Sequence, residues 1–201
     1  MKTIIVYWLP VSSVRGKEEN ILSVLPDKRV EKAKRFVKED DEALSLAAGY
    51  LIARYVGEYY VDSYGKPRSE RLFFNLSHSA DVAALAVSTS SEVGLDIEKN
   101  CEKKDVDDLA NYCLNDEEQK EYRNGRPFLS LFTAKESLAK AEGKGLFATA
   151  VKKIPSLPLD GEVKYQNKTY HRHTLKKDGY FLSVTSEGGD FEIQTEETYV
   201  E

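Results

Sequence analysis

Two periods of apolar and polar positions run along this chain, and the switches between them predict its elements. The opening MKTIIVYWLP is a short apolar run closed by Pro10, which predicts a first strand. In PDKRVEKAKRFVK, residues 26–38, apolar Val30, Ala33 and Val37 recur at three- and four-residue spacing and predict one face of a basic helix. DEALSLAAGYLIARYV, residues 41–56, keeps the helical period and predicts a core helix. The pattern then shortens: turn residues Gly65 and Pro67, the pair Phe73 and Phe74, a polar knot NLSHS, and an apolar run from Val82 to Val87 predict short strands that lead into VGLDIE. A helical region from Asp105 to Arg123 and a helix from Phe128 to Ala141, stopped by Gly143, come next. The chain ends rich in strands, with Lys176, Lys177, Asp178 and Gly179 marking a hairpin turn.

With no linker between them, the two stretches predict intimately packed α+β halves, divided as residues 1–95 and 96–201. At 201 residues and 41% apolar content the chain has enough material for a sizeable core. No apolar run approaches the ~20 residues that span a bilayer, and the N-terminal apolar stretch lacks the length and cleavage site of a signal peptide, so a cytoplasmic protein acting off the membrane is expected. Cys101 and Cys113 lack CxxC spacing and have no histidine nearby, which signals neither a disulfide framework nor a zinc site. A net charge of −5 argues against general nucleic-acid binding. The local exception is the basic stretch 26–38, where six basic residues face two acids; a solvated helix surface is the plain reading and an anion site the functional one.

Asp96 and Glu98 pose the sharper question. At i and i+2 on a strand, both carboxylates leave the same face, where each hinders ionisation of the other unless a cation lies between them. Either that face is solvated or it holds a cation. Glu136 follows Phe132 by one turn on the edge of an apolar stripe formed by Phe128, Leu131, Phe132 and Leu138, with Lys135 in the same stripe. Taken alone, Glu136 and Lys140 make an ordinary i,i+4 surface pair worth a few tenths of a kcal/mol. His78 between two serines reads as a hydrogen-bonded loop residue. His171 and His173 share one strand face and suit a transition metal, although no third ligand is evident.

In order, GKP, NLSHS, GLDIE and KESLAKAEGKG resemble the motifs of the 4′-phosphopantetheinyl transferases, specifically the larger Sfp-type class, over roughly residues 26–146. The resemblance implies a fold of two similar α+β halves related by a pseudo-twofold axis, with coenzyme A in the cleft between them. It also implies the reaction: magnesium-dependent transfer of 4′-phosphopantetheine from coenzyme A to a serine of an apo acyl or peptidyl carrier protein, releasing 3′,5′-ADP. By the same resemblance Asp96, Glu98 and Glu136 would hold the metal, and Glu117 or Glu136 would be the general base, with Glu118 one step from the first. Lys140 and His78 would meet the pyrophosphate; Arg29 (or Lys28), Lys32 and Ser45 the 3′-phosphate; and Lys66 and Ser77 the nucleotide. The expected state is a monomer that binds carriers and coenzyme A, and neither nucleic acid nor membrane. Two departures stand out: Leu44, where many relatives carry arginine or histidine, and Phe132 near the position of a tryptophan. A catalytically silent carrier-binding relative and a magnesium-dependent phosphohydrolase are the alternative readings.

Overall fold

The computed structural model describes residues 2–100, 106–143 and 151–201. Strand β1 (Lys2–Pro10) leads through helices α1 (Glu18–Val24), α2 (Asp27–Ala33) and α3 (Glu39–Tyr55) to a small hairpin of β2 (Tyr60–Val61) and β3 (Pro67–Arg68), then to β4 (Phe73–Ser79) and β5 (Val82–Ser88). After β6 (Val93–Lys99) come α4 (Val106–Cys113), α5 (Asp116–Arg123) and α6 (Phe128–Glu142), then β7 (Gly161–Tyr165), β8 (Lys168–Lys177), β9 (Tyr180–Glu187) and β10 (Phe191–Glu197). The protein is a mixed α+β fold, as the alternating periods predict. Cys101, the start of the helical region at Asp105 and the KGL that follows Gly143 in the last motif lie outside the described residues.

Two four-stranded sheets carry the architecture, ordered β10–β1–β5–β4 and β6–β9–β8–β7. The order β1–β5–β4 recurs as β6–β9–β8. A cut between residues 95 and 96 would pass through β6, and β10 crosses back to pair in parallel with β1 in the first sheet. One core lies between the sheets, where Ile4, Val6, Ala84 and Ala86 meet Val93, Leu95, Ile97 and Leu182. A second forms where α1 and α3 cover the first sheet, with Ile21, Leu46, Leu51 and Leu85 buried together. Full burial of each valine, leucine or isoleucine among them is worth about 1.5–3 kcal/mol, so these strand patterns hold the two layers in register.

On β6 the period of two separates the functions of the faces. Val93, Leu95 and Ile97 fill the inter-sheet core, so Gly94, Asp96 and Glu98 point the opposite way, toward α6. Gly94 allows the helix onto the strand: a Cβ there would stand 2.0 Å from the Ser137 carbonyl oxygen and 2.4 Å from the Ala141 nitrogen. Helix α6 ends as expected at Gly143, whose φ of 96° is the left-handed cap that glycine favours. The predicted turn at 176–179 joins β8 to β9 through Asp178 and Gly179, both at positive φ.

The basic segment departs from its prediction. Helix α2 stops at Ala33, so the expected helix to Lys38 is little more than half formed. Ala33 is buried and Val30 packs on the core, but Val37 is 99% exposed, so the third apolar position that extended the pattern touches nothing.

Candidate functional site

Strand β4 meets the free edge of β6 with side chains instead of a backbone ladder. Asn75 Oδ1 accepts the Leu95 N–H at 2.9 Å, Ser77 Oγ the Ile97 N–H at 3.2 Å and Ser79 Oγ the Lys99 N–H at 3.1 Å. The two serines also donate to the acids: Ser77 to Asp96 Oδ1 at 3.0 Å and Ser79 to Glu98 Oε2 at 3.1 Å. The N-x-S-x-S pattern of one strand thus satisfies the edge of the other and orients both carboxylates.

From the other side, α6 brings Lys140, whose Nζ lies 2.7 Å from Asp96 Oδ1 and 3.3 Å from Ser77 Oγ. Asp96 is 6% exposed, and its second oxygen, Oδ2, is buried with no hydrogen-bond partner. Desolvation raises its pKa above the usual carboxylate range, outweighing the opposing pull of Lys140. Glu136, one turn before Lys140, is half-buried and pushed up to about 7, first by desolvation and then by the charge of Asp96, with Glu98 adding a smaller push. The three acids of the expected metal set are therefore within electrostatic reach of one another, and Lys140 offsets part of their charge. Among the described residues no three histidine, cysteine, aspartate or glutamate side chains stand ready to hold a metal ion. What suits a hard dication is the donor chemistry: carboxylate oxygens, one of them buried and without a hydrogen-bond partner among the described residues.

His78 lies on β4 with its side chain toward solvent. Enough protein surrounds the ring that desolvation lowers its pKa; the cations Lys140 and Lys32 add to this, and Asp96 and Asp41 oppose it. That ring consequently feels both α6 and the basic α2. Lys32 is exposed, whereas Arg29 is half-buried and donates from a guanidinium nitrogen to the Ser45 carbonyl oxygen at 3.3 Å. Lys28 and Arg29 both line a cavity of about 1090 Å³ beside Val24, Ile52 and Tyr60. Leu44 packs against the first-half core, and Phe132 stacks on Phe128 with ring centroids 5.6 Å apart.

Three further groups are engaged by contacts of their own. Glu117 stands exposed at the start of α5 and lines a different depression, with Glu121, Arg126 and Leu157. Its neighbour Glu118 is 1% exposed and committed to structure, accepting the N–H of Asn115 at 2.8 Å and of Ser156 at 2.6 Å and pairing with Lys135 at 2.7 Å. Lys66 is turned inward: its Nζ lies 2.9 Å from Glu92 Oε2 and 2.7 Å from the Lys140 carbonyl oxygen. His171 and His173 serve separate contacts, one at 2.9 Å from the Gly188 carbonyl oxygen and the other at 2.9 Å from Asp190 Oδ1, which pulls the pair away from shared metal ligation. The orienting roles of Asn75 and Ser79 went unread, although their signal was present in two adjacent period-two segments, N-x-S-x-S and L-D-I-E-K, each offering matching positions.

The sequence profile of the 4′-phosphopantetheinyl transferase superfamily matches residues 92–191. The 4′-phosphopantetheinyl transferase Sfp of Bacillus subtilis (strain 168) is 27% identical over 217 residues, covering 92% of this chain and 93% of the relative. The 4′-phosphopantetheinyl transferase AcpT of Salmonella typhi is 34% identical over 131 residues, covering 59% of this chain and 67% of the relative. A second Bacillus subtilis protein, the 4′-phosphopantetheinyl transferase ffp, is 27% identical over 202 residues, or 86% of this chain.

Proposed function

As the chain belongs to the 4′-phosphopantetheinyl transferase superfamily and to its Sfp-type class of enzymes, we propose that it moves 4′-phosphopantetheine from coenzyme A to the serine hydroxyl of an apo carrier protein. The observation that carries this reading is the cluster of Asp96, Glu98, Glu136 and Lys140 between β6 and α6, where a buried carboxylate oxygen lacks a partner and Glu136 titrates near neutrality.

In the reaction the serine oxygen bonds to the β-phosphorus of coenzyme A, the bond from that phosphorus to the bridging oxygen breaks, and 3′,5′-ADP leaves with the electron pair. The serine proton needs an acceptor with a pKa near the working pH. Glu136, half-buried beside Asp96 and one turn from Lys140, is better placed for that than exposed Glu117, and we assign it the base role. Asp96 and Glu98 would hold magnesium, with Glu136 beside them. When bound, the ion neutralises the diphosphate as charge moves onto the leaving group. Lys140, already directed at this point, adds a fixed positive charge for the phosphates. His78 lies on the path between Lys140 and Lys32, suited to the pyrophosphate, while Lys32 and Arg29 or Lys28 offer the cations for the distant 3′-phosphate. Ser45 lends its carbonyl to hold Arg29, and Ser77 orients Asp96.

The test is incubation with a panel of apo carrier proteins, coenzyme A and magnesium, read by intact mass. A phosphopantetheine gain that requires both additions supports transfer. Phosphate release without a carrier would favour a hydrolase, and carrier binding without any mass gain a silent relative.

A further inference from the structure

Lys66 comes from the first half of the chain, yet its ammonium reaches across to the end of α6 in the second. Its side chain is buried, and Nζ reaches Glu92 Oε2 at 2.9 Å, the carbonyl oxygens of Lys140 at 2.7 Å and Ala141 at 3.5 Å, and that of Val93 at 3.4 Å. Two of these carbonyls belong to the last turn of α6, where oxygens have no partner in the helix and a cation is favoured by the helix dipole. The other two contacts hold the segment that enters β6.

The loop that delivers this ammonium is itself fixed. Asp62 Oδ1 accepts the Lys66 N–H at 2.9 Å, and Asp62 Oδ2 accepts from Arg68 Nε at 2.9 Å. Arg68 reaches on to Glu92 Oε1, so Asp62, Arg68, Glu92 and Lys66 form one charge network. Desolvation lowers the Lys66 pKa and the Glu92 carboxylate opposes that shift, as expected of an ammonium held inside the protein by its acid.

The geometry points to Lys66 as a positioning residue that sets how far along β6 the helix α6 sits. The contact it clamps is the one at Gly94, where helix backbone touches strand backbone. Asp96 is two residues along the strand from that contact, and Lys140 and Glu136 occupy the last two turns of the clamped helix. A shift of α6 along the strand moves Lys140 and Glu136 together relative to Asp96, and near 3 Å such a shift undoes a hydrogen bond. This role rests on the transfer reaction proposed above and deepens it.

Positioning and nucleotide contact make opposite kinetic predictions. In Lys66→Met, which keeps the apolar stem and removes the ammonium, kcat should fall about 10- to 100-fold with KM for coenzyme A within twofold of wild type. Calorimetric affinity for coenzyme A, measured without carrier, should be equally unmoved. Glu92→Gln, which keeps a hydrogen-bond acceptor and removes the anchoring charge, should lower kcat in the same direction by about 3- to 10-fold and covers the case in which Lys66→Met does not fold. A raised KM and weakened affinity with kcat intact would overturn the proposal in favour of a nucleotide contact, and folded variants with wild-type kcat would overturn it outright. Transfer by the wild type in the same assay reads the function, so failure there is separate from failure of the clamp.

Discussion

Helix α6 makes two lysine–carboxylate pairs barely more than a turn apart, and they have opposite characters. Lys135 and Glu118 are 0% and 1% exposed, and every direction is filled: Glu118 also caps α5 and takes the Ser156 N–H, while Lys135 also donates to the Ile154 and Val151 carbonyl oxygens. Lys140 and Asp96 meet at the same 2.7 Å, but Lys140 is half-buried, Asp96 Oδ2 is unpartnered, and Glu136 beside them titrates near neutrality. A saturated buried pair is architecture. A pair with a leftover oxygen has room for a further ligand, and that difference separates the motif's adjacent Lys135 and Glu136 into a structural residue and a reactive one.

The largest effect should come from breaking the saturated pair. Lys135→Met leaves Glu118 buried without its cation and should cost about 3–5 kcal/mol in urea unfolding. A midpoint unchanged from wild type would erase the distinction between the pairs. Lys140→Met is its twin at the open pair: because Asp96 already has a raised pKa, it takes up a proton instead of remaining a bare charge, so the stability loss should be less than half as large. Transfer, in contrast, should fall about 10²- to 10³-fold, as when one oriented donor to developing charge is removed.

The pH dependence of Glu136 sharpens the contrast further. An acid whose folded pKa is about 7, against 4.5 ordinarily, binds its proton more tightly when folded, so this group favours folding at low pH and opposes it as pH rises from about 4.5 to about 7. Without magnesium, Glu136→Gln should therefore be about 1–3 kcal/mol more stable than wild type at pH 8, with the gain gone below about pH 4.5. A variant less stable than wild type at pH 8 would mean that Glu136 is a paired structural acid like Glu118. The smallest effect belongs to Ser79→Ala, which removes one hydrogen bond from Glu98 and one acceptor from Lys99 N–H and should lower stability by about 0.5–1.5 kcal/mol in thermal melts.

The parts of this arrangement that depend on local period were legible beforehand. Alternation in VGLDIEK placed Asp96 and Glu98 on one face, the helical stripe placed Glu136 at the edge of α6 with Lys135 in line with its core side, and Asp178–Gly179 marked its hairpin. What escaped was partner choice among charged side chains distant in sequence. Lys66 finds the end of α6, Glu118 finds Lys135 and Ser77 finds Asp96 only after the sheets and helices have packed, and no spacing within one segment encodes those meetings. Helix α2 was overextended for the related reason that Val37 has the right residue type at the right interval but no surface to cover it.

The most direct test of the central claim compares wild type with Asp96→Asn on one apo carrier protein, with coenzyme A and magnesium, by intact mass after the two proteins have been matched for folding by thermal melt. The wild type should convert the carrier completely, dependent on both coenzyme A and magnesium, and with the folded variant the carrier should gain phosphopantetheine at least 100-fold more slowly. Equal rates for the two proteins would contradict it, because the unpartnered carboxylate between β6 and α6 would then have no part in the transfer.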